Sequence, residues 1–91
     1  MKDLVAEKIQ SVVEGLARRA APQASYLSGL ASVRELAGVS EEEVAVDHLC
    51  HLVQHFGLTL RQNEYDTIVE IIRLLDLTYI LDEIDLRSFI S

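Results

Sequence analysis

A chain of 91 residues with 49% hydrophobic content, four glycines and one proline can bury a small core and is not a disordered segment; its 5% aromatics leave Leu, Ile, Val and Ala to build that core. The net charge of −7 is uneven, with five basic and three acidic groups in residues 1–34 (+2) against three basic and twelve acidic in residues 35–91 (−9). Such a balance repels phosphate, so it argues against nucleic acid and membrane surfaces as partners and favours a basic protein. A lone cysteine forms no internal disulfide, and no apolar run reaches the roughly 18 residues of a membrane span, so a reducing, cytoplasmic setting is expected.

The expected fold is all-α, one domain over residues 1–91. It is a small four-helix bundle with helices at about 3–20, 23–37, 41–56 and 60–82. In the first helix, Val5, Ile9, Val12, Val13, Leu16 and Ala20 lay one apolar stripe, and Pro22 ends it. The second helix turns Tyr26, Leu27, Leu30, Val33 and Ala37 to one side. Gly29 weakens its middle, and Gly38 is placed to leave it in a left-handed conformation. The third begins at "VSEEEV", where Ser40 reads as N-cap, Glu43 as the other half of a capping box, and Val39 with Val44 as a hydrophobic staple. Gly57 stops it after Phe56. Thr59 and Gln62 offer a second capping box for the last helix, which either breaks near Asp76 or runs on to Asp82; the tail "DEIDLRSFIS" is a final turn or a short fifth helix. The connections are short, so successive helices pack antiparallel.

The stretch "VDHLCHLVQHFG" holds every histidine and the cysteine. On a helix Ala45, Leu49, Leu52, Val53 and Phe56 form the core face, whereas His48, His51 and His55 share another flank at i, i+3 and i+7. Paired imidazoles at this spacing suit a metal ion, but the spacing supplies no third or fourth ligand, so no metal and no cofactor is assigned. The strip also offers a pH response, since histidine titrates between about pH 5 and 8. Cys50 diverges from His51 by about 100° on the helix, which leaves no Cys–His dyad. No catalytic residue is assigned and no enzyme activity is expected.

The segment "ASVRELAGVSEEEV" followed by "HFGLTL" resembles the acyl and peptidyl carrier proteins, a family of small, acidic, four-helical domains. The resemblance implies a phosphopantetheine arm on Ser40, with the acidic helix after it facing partner enzymes. The family places Asp before that serine and Leu after it, where this chain has Val39 and Glu41.

The last helix carries an apolar surplus. Tyr65, Ile68, Ile72, Leu75 and Tyr79 make one core stripe, which leaves Ile71, Leu74, Leu77, Ile80 and Leu81 as candidate interface residues. Three or four exposed Leu or Ile side chains represent roughly 5–10 kcal/mol of burial, enough to support a dimer. The expected function is therefore a non-enzymatic protein–protein interaction module, a dimeric adaptor or regulator. The alternatives are a carrier domain modified at Ser40 and a histidine-strip protein responsive to metal or pH.

Overall fold

The computed structural model describes residues 2–91, with side chains from Leu4 onward. Five α-helices follow one another: α1 (Lys2–Arg19), α2 (Leu27–Gly38), α3 (Glu42–Phe56), α4 (Gln62–Leu74) and α5 (Tyr79–Glu83), and a 3₁₀ turn at Leu86–Phe89 closes the chain. The described residues form an all-α bundle, as expected. None of its helices is long and apolar enough to cross a membrane.

Helix α3 is the centre of the bundle, packed against α1, α2, α4 and the 3₁₀ turn. Its core positions Ala45, Val46, Leu49, Cys50 and Val53 are wholly buried. The α1 stripe of Val5, Ile9, Val12, Val13 and Leu16 is buried as the spacing predicts. Gly29 has a packing role that its low helix propensity conceals. A Cβ there would meet Leu52 Cδ2 at 2.7 Å, so the missing side chain lets α2 and α3 approach closely.

Three helices end in the same way. After α3, Gly57 adopts φ 62° and the Leu58 N–H donates to the Val53 carbonyl at 3.0 Å. After α2 the left-handed residue is Ser40 (φ 65°), and the Glu41 N–H reaches back to Leu36 at 2.9 Å. After α4 it is Asp76 (φ 57°), with Leu77 N–H bonded to Ile72 at 2.9 Å and Asp76 N–H to Arg73 at 3.2 Å. All three share the six-to-one bond of a Schellman closure, and α4 adds its inner bond, so helix carbonyls that would otherwise lack donors are satisfied. Only Gly57 was expected. Gly38 is instead the last helical residue of α2, and the left-handed turn falls two residues later.

That shift displaces the expected start of α3. The N-cap is Glu41, not Ser40, and no side chain caps it. The Ser40–Glu43 box and the Val39–Val44 staple therefore do not form, and both valines are exposed. At α4 only half of a box forms, two residues later than the sequence suggests: Glu64, not Gln62, accepts the Arg61 N–H at 2.9 Å, while the Arg61 guanidinium has donors only and caps nothing in return. Helix α2 also starts late, at Leu27, because successive turns closed by Ala21–Ala24 and Ala24–Leu27 hydrogen bonds occupy the segment after Pro22.

The break at Asp76 corrects the expected interface. Ile71 and Ile80 are wholly buried, Leu77 and Leu81 are half-buried against the core, and only Leu74 is exposed, at 49%. Two physical reasons account for this. Ile71 lies three residues after Ile68 and so belongs to the same inward face as Ile68 and Ile72. The left-handed joint then folds α5 back, which sends Ile80 inward where one continuous helix would have turned it out.

Two long-range ties complete the bundle. Glu64 grips Arg19 through Oε2–Nη1 at 2.9 Å and Oε1–Nη2 at 2.5 Å, and Arg19 Nη2 also donates to the Thr59 carbonyl at 3.1 Å. This joins the end of α1 to the start of α4. At the other tie, Leu60 pairs with Ile90 in a parallel bridge: Leu60 N–H donates to Phe89 at 2.8 Å and Ser91 N–H to Leu60 at 3.0 Å.

Candidate docking site

The most distinctive surface lies between α2 and α3. On α2 and its C-cap, Ser32, Glu35, Leu36 and Val39 follow one another at i, i+3, i+4 and i+7. On α3, Val44, Asp47, His48 and His51 repeat the same spacing, and His55 continues it. The two flanks meet over the middle one of three adjoining hollows, of 470 Å³; the 680 Å³ hollow is lined from the α2 side and shares Ser32 and Leu36 with it, and the 550 Å³ hollow is lined by α3 and shares His48 and His51. Together they make a shallow trough. The stretch that both helices border, from Val44 to His51, follows about 10 Å of helix.

The trough floor is aliphatic at the end nearest the α2–α3 turn. Val39 is 68% exposed and Val44 49%, with half-buried Leu36 between them. Neither valine was expected on the surface. The signal was present, since Val44 lies off the face defined by Ala45 and Leu49, but the assumed staple to Val39 concealed it.

The histidine strip forms the wall at the other end. His51 donates from Nδ1 to the Asp47 carbonyl oxygen at 2.8 Å, as the carbonyl can only accept. His55 stands edge-on to Phe56 with ring centroids 4.7 Å apart, and Phe56 in turn meets Tyr26 at 5.6 Å. Among the described residues, no group of three or more His, Cys, Asp and Glu side chains is arranged to hold a metal ion. Cys50 is wholly buried, and its thiol is pushed up to about 12 by burial and then by the Asp47 charge. Its sulfur is therefore a protonated core atom and a poor nucleophile.

Charge is segregated across the molecule. On α1 and α4 three acids are paired with bases, Glu70 with Lys8 at 2.9 Å, Glu14 with Arg18, and Glu64 with Arg19, while Glu7 and Asp66 have no ion pair among the described residues. Around the α2–α3 turn and α5, Glu35, Glu41, Glu43, Asp82 and Glu83 have no ion pair among the described residues. Tyr79 of α5 records that field. Its hydroxyl faces Asp47 Oδ1 at 3.5 Å, and its phenol is pushed up by partial desolvation and then by the charges of Asp47, Glu83 and Glu43. No lysine or arginine lines the trough.

Ser40, the candidate attachment serine, is exposed in the left-handed turn beside the trough, ahead of the helix rather than capping it. No known protein-family model matches this chain, and no curated protein or solved structure is significantly similar to it.

Proposed function

We propose that this chain is a non-catalytic protein-interaction module, an adaptor or regulator that docks through the trough between α2 and α3. The observation that carries the reading is the exposed aliphatic floor, Val39 and Val44 beside Leu36, set within a rim of carboxylates that have no ion pairs among the described residues. An apolar strip with a polar rim is the usual anatomy of a protein-binding surface. The aliphatic groups supply the favourable burial and the charges select the partner. A reducing, cytoplasmic setting belongs to the same reading, supported by a buried cysteine that carries no disulfide. Dimerisation through α4 and α5 does not, because Ile71 and Ile80 lie inside the protomer.

A photoreactive residue placed at Val44 tests the proposal in the native cell. It is expected to crosslink to another polypeptide, whereas the same group at exposed Asn63 on α4 is not. Equal crosslinking from both positions, or none from position 44, overturns the reading.

A further inference from the structure

Taking the docking role above as its premise, we infer that the trough receives one amphipathic helix from a basic segment of a partner protein. Apolar residues of that helix sit on Leu36, Val39 and Val44, and its lysines or arginines face Glu35 and Asp47, which line the hollows, and exposed Glu43 one turn before Asp47 on α3.

Shape points to a helix. Two flanks with i, i+3, i+4, i+7 spacing border a hollow that runs from Val44 to His51, about 10 Å along α3 or two helical turns. An apolar groove of that length matches the helix-in-groove mode, in which one helix face supplies the anchors.

Charge selects among possible occupants. Glu35 and Glu43 have no ion pair among the described residues, Asp47 faces only His51, at 3.6 Å, and no lysine or arginine lines the hollows. Arg34, the base nearest in sequence, does not line the hollows. The other titratable groups on the wall are His48, His51 and His55 from α3, with Tyr79 and Glu83 of α5 behind Asp47. A second copy presenting the same face would oppose Glu35, Glu43 and Asp47 to themselves, because a two-fold interface is self-complementary only for neutral or mixed surfaces. An anionic bilayer is repelled for the same reason. A cationic amphipathic helix satisfies both the floor and the rim.

The test uses the full chain and two synthetic helices of about 16 residues with identical leucine positions, one carrying lysine and the other glutamate elsewhere. Fluorescence anisotropy gives affinity and amide chemical shifts give the site. The lysine helix is expected to bind and to shift residues 32–39 and 44–51. Its binding is expected to weaken at least about tenfold with Glu35→Lys plus Glu43→Lys, and again with Val44→Asp, and to fall with added salt. These positions are exposed, so circular dichroism is expected to show the variants folded.

Preferential binding of the glutamate helix in the trough overturns the basic partner and leaves the docking role standing. Shifts confined to other surfaces, or no binding by either helix, also overturn it. So does a doubled mass in light scattering that Val44→Asp returns to monomer, since that identifies a second copy as the occupant. The docking role itself fails separately, through the crosslinking outcome at Val44.

Discussion

Gly15 lies directly against the carboxylate of Glu64: a Cβ on that glycine would collide with Oε2. The small residue on α1 makes room for an acid from α4, and one turn later Arg19 neutralises it. The Glu64 side chain is only 8% exposed and that of Arg19 29%. Removing the arginine therefore strands a charge that water reaches poorly. Arg19→Ala is expected to cost about 2 kcal/mol, below the 3–5 kcal/mol of a fully buried pair because Arg19 is partly solvated. Gly15→Ala is expected to cost about 1 kcal/mol despite alanine's better helix propensity, whereas Gly38→Ala, with open space around it, gains about 0.5 kcal/mol. Urea unfolding midpoints of the three variants check the order.

The same pair makes stability depend on acid. Burial pushes the Glu64 carboxyl up, but the Arg19 hydrogen bonds, the Arg61 N–H and the two positive charges outweigh it and hold the group below the usual glutamate value. The folded state thus binds this proton less readily than the unfolded chain. The stabilisation is complete above the unfolded value of about 4.3 and is lost as pH falls through the lower folded value. Glu64→Gln is expected to flatten this part of the acid limb in a series of unfolding curves. A variant whose stability falls as steeply as the parent's would show that other carboxylates account for it.

The left-handed joints give opposite responses to glycine and alanine. Ser40 and Asp76 carry a Cβ in a conformation that costs L-residues roughly 1–2 kcal/mol. Ser40→Gly and Asp76→Gly are each expected to raise stability by about 1 kcal/mol, offset in part by the entropy of the freer unfolded chain. Gly57→Ala is expected to lower it by about 1 kcal/mol. Thermal midpoints measured side by side separate these signs.

Cys50 has no solvent exposure, and its thiol is pushed up to about 12. A thiol reagent at neutral pH is expected to label the native chain only as fast as it opens, and at once in denaturant. Rapid labelling of folded protein would contradict the burial of this side chain.

Periodicity in the sequence was enough to locate α1, the stop at Gly57 and most of the α3 core face, because each depends on residues close together in the chain; Phe56, expected on that face, is exposed at the helix end, and Val46 is buried instead. The Arg19–Glu64 grip was not legible: its members stand 45 positions apart, and nothing in their neighbourhoods marks them as partners. Ser40 and Asp76 were missed as left-handed residues because composition flags glycine for that role, and here the geometry imposed it on a serine and an aspartate. The second error followed from the last one. The sequence left a break near Asp76 open, and laying residues 60–82 along one helix turned Ile80 outward and made an interface from a core residue. The trough was half visible. The histidine flank was recognised as a strip apart from the core, but its opposing wall on α2 emerges only when the two helices are laid side by side.

The pairing of Leu60 with Ile90 turns the last third of the chain into a ring, sealed by backbone rather than by side chains. Helix α4, the joint at Asp76, α5 and the terminal turn are all inside that ring, so none of them can fray toward a free end without first unlatching the seal. Deuterium uptake at the amides of Leu60 and Ser91 should then keep pace with the interior of α4. Removing the bridge by trimming residues 89–91 should quicken uptake as far away as Ile68, making this short segment a latch for a helix that ended fifteen residues before it.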